Sequence, residues 1–246
     1  MAGSRAYRMA RNRYEIKYVI HRRTAQAFLA RASRWMRHDP HLEGRRHYRV
    51  RSLYFDTADL RHYRDIVDGH CIKRKLRLRG YDAAGERGFF EVKTRRYRSV
   101  EKTRAPASLP EALDLVHDPF ASALGRALGA ATAEIARRPH LPILTVTYDR
   151  IALVDLLGSS LRVTLDENVR CGGPDLFSRP VGIDDLRVLP PGLHVLELKF
   201  DHRIPTWLSQ TVADLELFAR AYSKYGGGVE RFRRHAPLVP ELARHG

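Results

Sequence analysis

Cysteine is scarce: Cys71 and Cys171 are the only two among 246 residues. Two thiols cannot build a disulfide framework, and they fall short of the four ligands of a structural zinc site. The twelve histidines are scattered without the His-x-x-x-His spacing that sets two imidazoles on one helical face, so zinc is not expected. No Gly-x-x-x-x-Gly-Lys-Ser/Thr loop occurs, and no serine or cysteine nucleophile motif stands out. The most apolar stretch, Leu141 to Leu161, is interrupted by Asp149, Arg150 and Asp155, which excludes a membrane-spanning helix there. The basic start, MAGSRAYRMARNRYE, lacks the apolar run of a secretory signal. Internal repeats are absent. A reduced, soluble, cytoplasmic protein is the expectation.

Acidic residues are also few. Asp and Glu number 28 against 44 Lys and Arg, a formal net charge of +16. Such an excess implies a polyanionic partner: nucleic acid, anionic lipid or phosphorylated small molecules. With 43% hydrophobic and 9% aromatic residues the chain can bury a core, so wholesale disorder is excluded. The length allows one large domain. We read 1–12 as a flexible N-terminus, 13–235 as one domain and 236–246 as a tail.

Period-two alternation recurs, with charge on one parity. Arg13, Glu15 and Lys17 alternate with Tyr14, Ile16, Tyr18 and Ile20. Over Cys71–Tyr81, Lys73, Lys75, Arg77 and Arg79 alternate with Ile72, Leu76 and Leu78. Glu91, Lys93 and Arg95 oppose Phe90 and Val92; Arg162, Thr164 and Asp166 oppose Leu161, Val163 and Leu165; Glu197, Lys199 and Asp201 oppose Leu196, Leu198 and Phe200. Successive strand side chains point to opposite faces, so each segment reads as a strand with one charged and one apolar face. Arg46–Asp56 and Ile143–Val154 are further strands by β-branched and aromatic content.

Helical spacing places helices at 24–36, capped by Thr24, at 58–67 after Thr57, at 109–116, at 120–137 and at 208–222. Gly226–Gly228 reads as a flexible terminator of the last of these. Tyr54, Phe55 and Trp35 read as core, and Asp56-Thr57 as a helix cap. Glu-x-Lys occurs on three distant strands, and the helices are apolar enough to cover the outside of a sheet. A closed barrel with a polar lumen and an exterior packed by helices satisfies both.

These residues resemble a known family. Arg13-Tyr14-Glu15-Ile16-Lys17-Tyr18, Arg51-Ser52-Leu53-Tyr54-Phe55-Asp56-Thr57, Lys75-Leu76-Arg77-Leu78-Arg79-x-Tyr81, Glu91-Val92-Lys93, Leu196-Glu197-Leu198-Lys199-Phe200 and Ser223-Lys224-Tyr225 fall in the order seen in the VTC (vacuolar transporter chaperone) domain. That domain is the polyphosphate polymerase branch of the triphosphate tunnel metalloenzymes. The resemblance spans about Arg13 to Arg231. It implies an α+β fold, an eight-stranded antiparallel β-barrel with flanking helices. It also implies synthesis of polyphosphate from the terminal phosphate of ATP with Mn2+ or Mg2+.

By the same resemblance, Lys17, Arg77, Arg79, Lys93, Arg150, Arg162, Lys199 and Lys224 are the catalytic tunnel cations. Arg13, Arg51, Lys75 and Lys102 are further phosphate-binding candidates. Glu197 is the expected metal ligand, with Glu15 a second. The partners implied are ATP and inorganic polyphosphate, triphosphate or pyrophosphate. Relatives often work beside membrane proteins, so a membrane-protein partner and a place at the inner face of the membrane are also implied. Hydrolytic tunnel enzymes carry Glu-x-Glu-x-Lys where this chain has Arg13-x-Glu15-x-Lys17. A guanidinium there removes a metal ligand and adds a phosphate binder.

Alternatives stay open. A tunnel triphosphatase or polyphosphatase would share the cations but use water as acceptor. Lys17 and Lys199 could instead be halves of Glu-x-Lys ion pairs. Glu91 could be a partner of Lys93 or Arg95. The strand of Arg77 and Arg79 has no acid on its charged face. A non-catalytic module binding polyphosphate or RNA would also explain the charge. Aromatics are not interleaved with basic residues on single strand faces as base stacking requires, so no specific nucleic acid is expected.

Overall fold

The computed structural model describes residues 7–10, 13–42, 44–81, 87–97 and 99–235. In chain order the elements are β1 (Tyr7–Ala10), β2 (Arg13–His21), α1 (Arg22–Ala32), β3 (Met36–His38), β4 (Tyr48–Asp56), α2 (Arg61–Val67), β5 (Ile72–Tyr81), β6 (Arg87–Arg96) and β7 (Ser99–Ser108). They continue with α3 (Leu109–His117), α4 (Ala123–Leu128), α5 (Ala131–Ala136), β8 (Leu141–Asp155), β9 (Arg162–Gly172), β10 (Leu186–Arg187), β11 (Leu193–Asp201), α6 (Thr206–Asp214) and α7 (Lys224–Arg233).

Eight long strands form one antiparallel sheet in the order β7-β6-β5-β4-β8-β9-β11-β2, and the short β1, β3 and β10 pair with β7, β8 and β9. The sheet curls until side chains of β2 and β6 meet: Lys93 Nζ lies 3.3 Å from a Glu15 carboxylate oxygen. The eight-stranded antiparallel α+β expectation holds, as a curled half-barrel: among the described residues the edge strands β7 and β2 share no hydrogen-bonded ladder, and side-chain contacts span the gap.

The apolar parity faces outward and is covered by helices. Phe28 of α1 and Leu208 of α6 pack on Ile151, Val163, Leu165, Leu196 and Leu198. Leu115, Leu128 and Ile135 of α3, α4 and α5 pack on Leu53, Phe55, Leu76, Leu78, Phe90 and Val92. Burying a leucine or phenylalanine this way stabilises by about 1.5–3 kcal/mol each, which is why the charged parity is left for the lumen.

The seventh helix differs from the others. Tyr225 and Val229 pack against Tyr54, Val146, Tyr148 and Cys171, so α7 seats on lumen-facing residues at one end of the barrel. Tyr225 stacks on Tyr54 at 4.8 Å, and its hydroxyl donates to Asp56 at 2.6 Å. Gly226–Gly228 therefore lies inside a helix instead of ending one. A Cβ on Gly228 would stand 3.2 Å from both Leu144 and Val146 side chains, so the helix seats closely there.

Other boundaries differ from expectation. Helix α1 begins at Arg22 with His21 as N-cap and ends at Ala32, so Thr24 caps nothing and Met36 belongs to β3. The 120–137 helix is two short ones, broken at Gly129, whose φ is +57°. Helix α6 stops at Asp214, because the chain then runs beside β2, where Arg220 N–H donates to Lys17 O at 2.9 Å. Within the segment expected as flexible, residues 7–10 pair with β7. The tail 236–246 lies outside the described residues. Asp56 and Thr57 do cap α2: Asp56 accepts from the His62 and Tyr63 N–H groups, and Thr57 Oγ1 from Arg61 N–H.

Candidate active site: a cationic lumen

The charged parities of β2, β4, β5, β6, β7, β8, β9 and β11 converge in the lumen. Three ion clusters organise it. In the first, Glu91 of β6, 2% exposed at its side chain, holds Arg77 at 2.7 Å and Lys102 at 2.5 Å, with Arg79 at 3.9 Å. Burial raises the Glu91 pKa, but Arg79, Arg77 and Lys102 outweigh it and keep the carboxyl well below the ordinary range. The acid that Arg77 and Arg79 lack on their own strand thus comes from the neighbouring one. Glu91 pairs across to β5 and β7, not with Lys93 or Arg95 along its own strand, because register sets it opposite Arg77 and Arg104.

In the second, Asp166 of β9 is fully buried and takes Arg150 in a bidentate pair at 2.6 and 2.7 Å, with Lys224 at 2.5 Å. Burial pushes the Asp166 carboxyl up, and the two cations bring it below its usual value. Both Arg150 and Lys224 also lie over the Tyr148 ring, at 5.1 and 4.7 Å.

The third joins the adjacent strands β2 and β11. Lys17 meets Glu15 at 2.9 Å, and Lys199 meets Glu197 at 2.8 Å. Both Glu-x-Lys pairs exist, on strands aligned so that Glu197 opposes Lys17 and Lys199 opposes Glu15. For Glu15, burial and the Glu197 charge raise the pKa; Lys17, Lys93 and Lys199 bring it down overall. Glu197 is held well below the ordinary range, burial being overcome by Lys199, Lys17 and Lys224.

Among the described residues Lys75 has no carboxylate partner. Lys75 donates to Ser223 Oγ at 3.1 Å, and its ammonium is pushed far down by burial and by Lys17, Lys93 and Arg77. Lys102 is pushed down to about 8, by burial first and then by Arg77 and Arg79, against the pull of Glu91.

The lumen thus gathers Lys17, Lys75, Arg77, Arg79, Lys93, Lys102, Arg150, Lys199 and Lys224 with Glu15, Glu91, Asp166 and Glu197. Among the described residues nine lysines and arginines face four carboxylates there. Two expected residues lie elsewhere. Arg51 points to the outer side of β4 and is buried there, donating to the Leu176 and Arg179 carbonyls at 2.8 and 2.7 Å, because its parity is that of Leu53 and Phe55. Arg162 is at the rim, its side chain 44% exposed and paired with Asp39. Arg13 begins β2 opposite Asp201, and its side chain lies outside the described residues. Asp166, Tyr148 and Ser223 line the lumen without having been singled out in the sequence, and Tyr54, read as core, is buried there and also accepts from Arg77 at 3.2 Å. Strand parity was the available signal for Asp166; only the seating of α7 brings in Ser223.

Glu15 and Glu197, side by side, offer the hard oxygens that Mg2+ or Mn2+ prefers, and substrate phosphates and water can complete the coordination. Among the described residues no group of three or more His, Cys, Asp or Glu gathers as a metal site. The donor set fits a cation shared with substrate rather than one caged by protein.

Fold and lumen define a class: a tunnel fold, a curled antiparallel sheet around a cationic lumen. The chain is similar in fold to a putative adenylate cyclase from Bacillus halodurans (14% identity, covering 96% of this chain and 98% of that one, TM-score 0.50). It is likewise similar to a putative adenylyl cyclase from Hippeastrum described as having a dominant triphosphatase activity (16% identity, 90% and 96% covered, TM-score 0.52). No curated protein matches it significantly in sequence. The VTC domain model matches residues 12–233, and the chain belongs to the VTC domain family. No helix among the described residues is long and apolar enough to cross a membrane.

Proposed function

We propose that the protein is a polyphosphate polymerase that transfers the terminal phosphoryl group of ATP to the end of an inorganic polyphosphate chain in the lumen. The observation that carries this reading is the excess of basic groups: among the described residues nine lysines and arginines face four carboxylates, each carboxylate anionic and already paired. Phosphoryl transfer spreads negative charge over equatorial oxygens, so catalysis is mainly positioning and electrostatic stabilisation. The surplus cations supply that. Arg77 and Arg79, held from behind by Glu91, present planar donors suited to phosphate oxygens.

In the transfer, the bond from the γ-phosphorus to the ADP oxygen breaks. A bond forms to a terminal oxygen of the acceptor, and ADP leaves with the bonding electrons. The acceptor oxygen is already anionic and needs no base, which suits a site whose carboxylates are poor proton acceptors. Glu197 with Glu15 would hold Mn2+ or Mg2+, which supplies charge neutralisation at bridging phosphate oxygens when bound. Lys17, Lys93, Lys199 and Lys224 orient the remaining phosphates.

A second reading, triphosphatase, is favoured by one feature. Lys75 lacks a carboxylate partner among the described residues and burial disfavours its charged form, which would help it take a proton from water, and the Hippeastrum protein is described as having a dominant triphosphatase activity. Incubation with ATP and Mn2+ separates the two. Polymerase predicts long-chain product on a gel, retained in Lys75→Met at reduced rate. Orthophosphate as sole product, abolished by Lys75→Met, would establish the hydrolase instead.

A further inference from the structure

A surface outside the lumen has no part in the chemistry above. Trp35, expected in the core, is 45% exposed and stacks on Trp207 at 6.0 Å with the rings 8° apart. These are the only two tryptophans in the chain. Beside them is the tip of the β8–β9 hairpin, where Leu156 is 48% and Leu157 88% exposed, and Leu156 N–H donates to Trp35 O at 3.0 Å. Adjoining the same turn is a groove of about 320 Å³ with apolar walls, among them Leu29, Met36 and Leu153, and a rim formed by Arg37, His38 and Arg46.

Among the described residues Arg34, Arg37 and Arg46 make no ion pair. Asp155 in the same hairpin is engaged by Ser159 N–H at 3.0 Å. A tryptophan and two leucines exposed together, with the second tryptophan half-buried behind them, mark an interaction site. Indoles favour the headgroup level of a bilayer, leucines its acyl boundary, and arginines its anionic phosphates. An unpaired cationic rim around an apolar tip matches that layering, whereas a protein partner would have to supply acids to meet it.

We propose that this face docks peripherally on an anionic phospholipid bilayer, with Leu156, Leu157 and Trp35 entering the interface and the arginines on lipid phosphates. The hairpin that carries the leucines also carries Arg150 and Arg162, so docking turns that end of the lumen toward the bilayer. Phosphatidylcholine vesicles with and without phosphatidylglycerol test this, read by co-sedimentation and by tryptophan emission, which reports only on this patch. The expected result is a blue shift and co-sedimentation with the anionic vesicles alone. Leu156→Asp/Leu157→Asp should weaken partitioning by at least about tenfold, with tripolyphosphate affinity and far-UV circular dichroism unchanged. Should the double variant misfold, Leu157→Asp alone serves, since that side chain is almost wholly in solvent. Equal partitioning of wild type and variant, binding without an emission shift, or no binding to anionic vesicles overturns the proposal.

Discussion

At the residue scale, Lys17, Lys75, Lys102 and Lys199 have proton affinities set by burial and by their neighbours. Lys102 illustrates the sign. Its folded pKa, about 8, is below the ordinary lysine value, so its positive charge is lost as the pH rises through that region. Tripolyphosphate affinity should fall by about threefold to tenfold between about pH 7 and about pH 9. Lys102→Arg, which stays charged, should flatten the profile. A calorimetric pH series checks this, and a flat wild-type profile would remove Lys102 from the site. The sequence made most of these residues legible because strand parity alone separates Lys75, Arg77 and Arg79 from Leu76 and Leu78. Parity also set Arg51 apart, on the face of Leu53 and Phe55, yet the motif around it drew it toward the lumen. What parity cannot reveal is which acid serves which base: Glu91 meets Arg77 only because β5 and β6 are in that register. Trp35 was misread because aromatic content says nothing about which side of a turn faces solvent.

At the element scale, the long alternating strands were readable and the irregular pieces were not. Strand β7, Ser99–Ser108, carries Pro106 and mixed polar residues, so its pattern is weak, yet it contributes Lys102 to the lumen. Helix α7 carries three successive glycines, Gly226–Gly228, that propensity disfavours, and packing against the curled sheet overrides that cost. The β5–β6 ladder has an analogous constraint at Gly88, where a Cβ would sit 2.0 Å from the Arg79 carbonyl oxygen. Gly88→Ala must push the two strands apart beside Arg79. We expect a loss of about 2–4 kcal/mol in denaturant unfolding. A change below about 0.5 kcal/mol would mean that the strands do not approach so closely there.

At the scale of the whole molecule, a net charge of +16 is divided between the outer surface and an interior that concentrates positive charge behind low-dielectric walls. The helices matter to function mainly by covering the apolar parity, which leaves the charged parity no place but the lumen. The overall architecture was therefore legible from alternation together with apolar helices. The seating of α7 on lumen-facing residues was not, since it depends on contacts between segments far apart in sequence. The account rests on that lumen being a binding site for condensed phosphate. Calorimetric titration of tripolyphosphate into the wild type and Arg79→Met tests it most directly, because Glu91 keeps Arg77 and Lys102 when Arg79 is removed. Saturable wild-type binding weakened at least about tenfold in the variant is the predicted result; equal affinity for the two proteins would contradict it.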